Sequence, residues 1–358
     1  MRIAILVPVM SGRGGTEVAI LGLVQGLNGL GDTTHAYLLG GATSDQQWLG
    51  SLSHTILGNS RQSRLHRFYK YSFGLANEFR RFRPDVVIAS DGPRLLKGKV
   101  ALAISGHRAQ LWSWIHFPLE RIAMPRMLKY ADGHLAISEG VAKQLRTFLG
   151  AGKSNRVVTI YNPIQTGVQT IPRPESGAPA VFLYIGRLEW DRQKRVNDLL
   201  AAAARITGKF RLIIIGDGTD RPRLQQYSRE LSIDDHIEWL GWKSDPWTAV
   251  SEASALVLTS SYESFAIVLA ESLVRGVPCI VSDCKVGPDE IVEEGMSGWF
   301  YTVGDIEALA NRMQMVIDQP ESLPAQQALC AAAKKFSTSA VAERAHQAFA
   351  EAKSRTRV

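Results

Sequence analysis

The segment Glu263-Ser-Phe-Ala-Ile-Val-Leu-Ala-Glu271 carries two carboxylates eight positions apart, a spacing that gives them different surroundings. Glu263 follows the apolar run Ala255-Thr259 and lies in the loop before a helix expected over 265–275, while Glu271 lies about two turns inside that helix. A loop carboxylate can accept hydrogen bonds from sugar hydroxyls, and first-turn N–H groups of Phe265, Ala266, Ile267 and Val268 can meet a phosphate. A glutamate on an otherwise apolar helical stretch needs a polar partner once buried, and a ribose diol would supply one. Taken singly, each glutamate reads by default as a helix cap or a surface acid.

Other candidates share this placement. The run Ala180-Ile185 ends in Gly186-Arg187, and Lys194-Arg195 opens the next helix candidate, 194–206. An arginine fork and a lysine point charge there could clamp a diphosphate, although local salt bridges are the commoner fate of such cations. Gly216-Asp217-Gly218 closes the run Arg211-Ile215 as a tight turn. Near the N-terminus, Ser11-Gly-Arg-Gly-Gly15 precedes a helix starting near Thr16, so Gly14 and Gly15 bring backbone N–H groups to a helix start. That loop lacks GxGxxG spacing, and no acidic residue ends a clear second strand, which argues against NAD. His116 ends the run Gln110-Ile115; a lone histidine is more often structural, but a strand end is the suggestive place for it.

All of these positions except Glu271 lie at strand-to-helix turns, so the strands must place them. Short Val/Ile-rich runs recur at Ile3-Val9, His35-Leu39, Asp85-Ala89, Gln110-Ile115, Gly133-Ile137 and Val157-Ile160, with helix-length segments between. The pattern breaks at Ile171-Pro-Arg-Pro-Glu-Ser-Gly-Ala-Pro179, which reads as a linker. A second series follows at Ala180-Ile185, Arg211-Ile215, Ile237-Leu240, Ala255-Thr259 and Cys279-Val281, with helix candidates 219–231 and 305–318 among them. The expected architecture is α/β: two Rossmann-like, doubly wound parallel-sheet domains facing a central cleft, over residues 1–170 and 171–340. Residues 341–358 form a last helix packing back on the N-terminal domain.

Composition bounds the partners. The 358 residues are 45% hydrophobic and 21% charged, ordinary for a globular protein and unlike a disordered or fibrous chain. No apolar run reaches the roughly 18 residues of a membrane span, and Met1-Arg2 leads into a strand without a signal cleavage site, so a cytoplasmic protein is expected. Cys279, Cys284 and Cys330 show no metal-binding spacing and read as buried thiols. The net charge of +7 gathers at Arg61, Arg64, Arg67, Lys70, Arg80, Arg81 and Arg83, with Phe68, Tyr69, Tyr71, Phe73, Phe79 and Phe82 interleaved. Such a stretch suits an anionic membrane face, a phosphorylated acceptor or nucleic acid, or is a solvated helix face whose aromatics are core.

Together, Gly14-Gly15, His116, Gly186-Arg187 with Lys194, Gly216-Asp217-Gly218 and the E-x7-E pair run in one order that resembles the retaining GT-B glycosyltransferases of family 4. One departure stands out. The family pattern G-R-L-x-x-x-K would place its cation at Arg192, whereas Lys194 is followed by the helix start that resembles the family's. Within the family, Trp114-Ile-His-Phe-Pro118, His134-Leu-Ala-Ile-Ser138, Gln193-Lys-Arg-Val196, Leu240-Gly-Trp242 and Pro246-Trp247 resemble lipopolysaccharide core 1,6-galactosyltransferases.

The resemblance implies a GT-B fold and transfer of galactose or glucose from a UDP-hexose to a lipopolysaccharide core or related glycolipid. It implies no cofactor and no metal, which agrees with the lack of a DxD motif. Arg187 and Lys194 would hold the diphosphate, Glu263 the sugar hydroxyls, Glu271 the ribose, His116 a sugar hydroxyl near the reacting carbon, and Gly14 and Gly15 the phosphates. The acceptor gives the 61–83 stretch a use, in contact with the cytoplasmic face of the inner membrane or with acceptor anions, rather than as a solvated face or on nucleic acid. The rivals are transfer to another cell-surface polysaccharide, a GT-B epimerase, for which no acid/base pair can be placed, and a silent glycan-binding scaffold.

Overall fold

The computed structural model describes residues 1–40, 46–58, 64–150, 152 and 156–355. The chain divides into two units, Met1–Ile164 with Phe336–Val358, and Gln165–Lys335.

Among its described residues, the first unit is built on strands β1 (Arg2–Pro8), β2 (Thr33–Leu39), β3 (His54–Leu57), β4 (Val86–Ala89), β5 (Gln110–Ile115), β6 (Gly133–Ala136) and β7 (Val157–Thr159). They form one sheet in the order β3-β2-β1-β4-β5-β6-β7, every pair parallel. Helices α1 (Gly15–Gly29), α2 (Arg64–Phe82), α3 (Gly92–Ser105) and α4 (Glu139–Leu149) make the crossovers. A parallel sheet is covered on both faces, so its strands read as unbroken apolar runs; Ile3 to Val7 are at most 1% exposed.

In the second unit β8 (Ala180–Ile185), β9 (Phe210–Ile215), β10 (Ile237–Gly241), β11 (Ala255–Leu258), β12 (Cys279–Ser282) and β13 (Gly298–Tyr301) form a parallel sheet in the order β10-β9-β8-β11-β12-β13. Its helices are α5 (Val196–Ala203), α6 (Arg221–Glu230), α7 (Ile267–Val274), α8 (Ile306–Asp318) and α9 (Gln326–Ala333). Phe182, Leu199, Leu212, Ile214 and Met313 anchor a core on one face of the sheet. Both sheets reverse their order beside their first strand, between β1 and β4 and between β8 and β11. Doubly wound sheets bind ligands outside the strand carboxyl ends at that reversal.

The last helix, α10 (Thr338–Arg355), packs on α1 in the first unit. A Cβ at Gly26 would lie 2.6 Å from Ala342 Cβ, so the glycine permits the close approach. Buried Asp32 accepts from the Met1 amine at 2.5 Å and pairs with His346 Nδ1 at 2.8 Å.

Three features differ from the sequence reading. The chain leaves the first unit after Ile164, and the proline-rich stretch lies within the second unit: Ile171 N–H donates to Arg275 O at 2.9 Å, and the Arg173 guanidinium donates to the carbonyls of Leu323 and Pro324. Strands β3 and β13 lie outside the expected runs; both are four-residue edge strands, too short and mixed to stand out. Helices α5 and α7 start two residues later than expected, for reasons of local backbone given below.

The basic-aromatic stretch falls largely on α2, with Arg61 outside the described residues and Arg64 and Arg67 in the first turns. Its aromatics divide between two faces. Tyr71 and Phe79 are core, whereas Tyr69 and Phe73, four apart on one side, are 55% and 54% exposed. Lys70, Arg80, Arg81 and Arg83 are exposed. Arg80 nevertheless has a structural task, donating to Asn77 at 2.8 Å and to Ile104 O of α3 at 2.7 Å.

Candidate functional site

In the second unit the loops after β8 and β11 are neighbours, because those strands pair at the reversal. Ser261 N–H donates to Gln193 O at 2.8 Å, Thr259 Oγ1 to Lys194 O at 2.6 Å, and Gln193 Nε2 to Tyr262 O at 3.2 Å. The two loops are thus stitched into one floor.

On that floor Glu263 is 8% exposed, and its Oε1 takes Lys194 Nζ at 2.6 Å and Ser260 Oγ at 2.7 Å. Glu189 accepts from Arg187 Nη1 at 2.8 Å and from the Lys194 N–H at 3.2 Å. Arg187, Lys194 and Glu263, expected from sequence to work together, are therefore brought together, each held by a carboxylate or a cation. Arg187 remains largely exposed while Lys194 is mostly enclosed, with side-chain exposures of 63% and 15%. Glu189 was absent from the expected site residues; lying in the same loop as both cations was its only sequence signal.

The backbone here is strained at defined points. Arg195 and Ala266, each just before a helix, adopt left-handed φ values of 45° and 60°. Left-handed geometry at a residue with a Cβ costs energy and clusters at functional sites. It also explains the late helix starts: the first-turn donors of α7 are Ile267 and Val268 rather than Phe265, whose ring is buried in the core. Gly216, at φ +144°, lets the β9 loop pass the β8 loop; a Cβ there would lie 1.8 Å from Gly186 O, and one at Gly218 would lie 2.1 Å from Leu188 O. Asp217 is exposed, and its Oδ1 accepts from the Gly218 N–H at 2.8 Å.

Glu271 stands apart, one turn into α7. Its Oε2 accepts from Trp247 Nε1 at 3.2 Å, and the Arg275 guanidinium lies 4.6 Å from the Trp247 ring. Burial raises the Glu271 carboxyl above the usual carboxylate range, against smaller opposing effects of the indole bond and the Arg275 charge.

In the first unit the glycine loop follows β1. Only Gly12 takes positive φ; Gly14 is extended and Gly15 opens α1. Gly14 is needed instead for space, since a Cβ would lie 2.8 Å from Oε2 of buried Glu17, which accepts from the Gly12 N–H at 2.8 Å. His116 follows β5, 7% exposed, with its ring 4.2 Å from that of Trp114. Its Nε2 has no hydrogen-bond partner among the described residues, and burial pushes the imidazole down to about 3, so it is neutral. A buried, unpartnered ring nitrogen at a strand end is suited to meeting a ligand hydroxyl. Among the described residues no group of three His, Cys, Asp or Glu is placed to hold a metal, and burial pushes the Cys279 and Cys284 thiols up to about 12.

A family model described as glycosyltransferase family 4 matches residues 13–168, and one described as glycosyl transferases group 1 matches residues 170–336. The lipopolysaccharide 1,6-galactosyltransferase of Salmonella typhimurium is 35% identical over 326 residues, covering 88% of this chain and 90% of that one. The enzyme of the same name from Escherichia coli is 33% identical over 323 residues, covering 88% and 89%. Among solved structures, the apo form of the lipopolysaccharide outer core galactosyltransferase WaaB matches with a TM-score of 0.85 at 32% identity, over 98% of this chain and 99% of that one. HepE of Anabaena, in complex with UDP-glucose, matches in fold with a TM-score of 0.81 at 19% identity, over 99% and 100%.

Proposed function

We propose, from the premise that the chain belongs to the family 4, group 1 glycosyltransferases, that it moves a hexose, galactose or glucose, from a UDP-sugar to a lipopolysaccharide core or related glycolipid. The two galactosyltransferase relatives support the acceptor class and galactose. The observation that carries the donor reading is the Lys194–Glu263 pair at the β8/β11 reversal, with Arg187 beside it and the desolvated Glu271 one helix turn away. Cations for a diphosphate, a carboxylate for a sugar and a carboxylate for a ribose then occupy separate places.

On this reading the diphosphate competes with Glu263 for Lys194 and with Glu189 for Arg187. Release of Lys194 frees Glu263 Oε1 to accept from sugar hydroxyls. The bond from the anomeric carbon to the β-phosphate oxygen breaks, and Arg187 and Lys194 stabilise the negative charge developing on the departing UDP. The acceptor hydroxyl attacks the same face and passes its proton to the leaving phosphate oxygen, so configuration is retained without an enzyme nucleophile or a metal. His116, neutral at every working pH, serves as a hydrogen-bonding group to the sugar and not as a general acid. Gly14 and Gly15 contribute backbone N–H groups to the phosphates.

We place the enzyme in the cytoplasm, peripheral to the inner membrane. No described helix is long and apolar enough to cross a bilayer, and Tyr69, Phe73 and Lys70 offer a surface that would rest on one.

The test is a thermal-shift and turnover screen of UDP-galactose, UDP-glucose, UDP-N-acetylglucosamine and GDP-mannose. Stabilisation by UDP-hexoses that is lost in Glu263→Gln is the expected result. Either substitution leaves Lys194 without its counter-charge, at a cost of about 3 to 5 kcal/mol for a buried pair, but glutamine keeps the side-chain volume and an acceptor oxygen for Lys194 Nζ and Ser260 Oγ, so it is the cleaner variant than alanine. Failure of every nucleotide sugar to stabilise the wild type would overturn the reading.

A further inference from the structure

We infer that Trp247 is a positioning residue for donor binding: its indole N–H fixes one oxygen of Glu271 and leaves the other to the ribose. The inference rests on the assignment of Glu271 to the ribose. Trp247 stands 24 residues before Glu271, in the short turn Pro246–Ala249 between β10 and β11, and is 7% exposed.

Three contacts hold the indole in place. Asp245 Oδ1 caps the turn by accepting from the Trp247 N–H at 3.0 Å. The Arg275 guanidinium stacks on the ring at 4.6 Å and is itself tied to α7 by a 3.0 Å bond from Nη1 to Glu271 O. The indole Nε1, a donor with no acceptor capacity, then has one polar target, Glu271 Oε2 at 3.2 Å. A glutamate on an apolar helix would otherwise sample several rotamers. Bound this way, its carboxylate presents Oε1 in a defined direction, and ordering that ligand would otherwise be a cost of binding.

The arrangement also has an electrostatic consequence. Burial favours the neutral carboxyl, whereas a diol needs an acceptor. The indole bond and the Arg275 charge favour the ionised form, and Asp245 opposes it. Helix α9, packed on α7, has no charged residue between Gln326 and Ala333. Loss of the indole donor therefore raises the carboxyl further and moves the acid limb of nucleotide binding to higher pH.

The experiment compares UDP with 2′-deoxy-UDP by calorimetry across pH 4.5 to 8, in wild type, Trp247→Phe, Glu271→Gln and the double variant. Phenylalanine keeps the ring under Arg275 and removes the donor. We expect W247F to weaken UDP about tenfold, the order of one hydrogen bond to a charged group, with 2′-deoxy-UDP less affected. We also expect the acid limb to shift upward and the double variant to bind UDP no more weakly than E271Q. W247F that keeps the wild-type UDP preference and pH limb, while E271Q loses that preference, overturns the positioning role alone. E271Q that keeps the preference overturns the ribose assignment beneath it. Should W247F not fold, the contact is read in the wild type by indole ¹⁵N–¹H resonances. One that titrates with pH in wild type and not in E271Q supports the inference, and none titrating contradicts it.

Discussion

At the scale of single residues, Glu271 and His116 show what burial costs and what a ligand returns. The Glu271 carboxyl is raised in the folded state, so the native protein binds its proton more tightly than the unfolded chain does. Its contribution to stability is therefore most favourable at low pH and is lost as pH rises through the carboxylate range. E271Q removes that cost while its amide oxygen can still accept the indole bond. We expect the ligand-free variant to melt about 1 to 3 °C above wild type at pH 7.5, by calorimetry, and to bind UDP more weakly. His116 has the opposite dependence. Lowered to about 3, it leaves the unfolded state holding the extra proton between pH 3 and the ordinary imidazole value, so stability falls as pH drops through that window. His116→Asn should flatten this decline in denaturant midpoint, lower kcat and leave UDP affinity within about twofold of wild type. A wild-type kcat in H116N would remove His116 from the reaction. The types and spacing of these residues were legible in the sequence, because a carboxylate pair spanning a strand-to-helix turn and an imidazole at a strand end are uncommon in combination. Their partners were not: Lys194 and Glu263 lie 69 positions apart, and Glu189 and Trp247 look like ordinary loop residues until the strands pair.

At the scale of elements, the glycine turns and α2 make separate demands. Gly216 and Gly218 are set by the crossing of two loops, with carbonyl oxygens 1.8 and 2.1 Å from where a Cβ would stand. A rigid carbonyl cannot yield as a side-chain tip can. Gly218→Ala is expected to cost about 2 to 4 kcal/mol by chemical denaturation, with UDP affinity falling too because the β8 loop moves. Helix α2 illustrates where sequence reasoning stops. Charge and aromatic content flagged the stretch, but only packing separates Tyr71 and Phe79, in the core, from Tyr69 and Phe73, in solvent. Since Arg80 ties α2 to Ile104, the informative variant is Tyr69→Ser with Phe73→Ser and Lys70→Glu. Co-sedimentation with vesicles containing phosphatidylglycerol should fall about tenfold while UDP binding is unchanged; undiminished sedimentation would remove α2 from membrane contact.

For the molecule as a whole, the sequence showed two doubly wound parallel sheets clearly, since alternating apolar runs and helix-length segments have few other solutions. The place where the chain passes between units was harder. A proline-rich stretch resembles a linker, yet Ile171 and Arg173 hydrogen-bond to Arg275 and the Leu323-Pro324 backbone within the second unit. The chain instead crosses after Ile164 and returns at Phe336, so that α10 completes the first unit. The division of labour proposed above gives each unit a distinct readout: nucleotide binding tracks Lys194, Glu263 and Glu271, and turnover tracks His116 as well. The most direct test of the central claim is transfer of hexose from radiolabelled UDP-galactose or UDP-glucose to purified lipopolysaccharide lacking its outer-core galactose, with wild type beside E263Q. The account predicts labelled lipopolysaccharide from the wild type, with a retained anomeric linkage, and at least about hundredfold less from E263Q. Equal labelling by the two proteins, or none by a wild type that binds UDP, would contradict it.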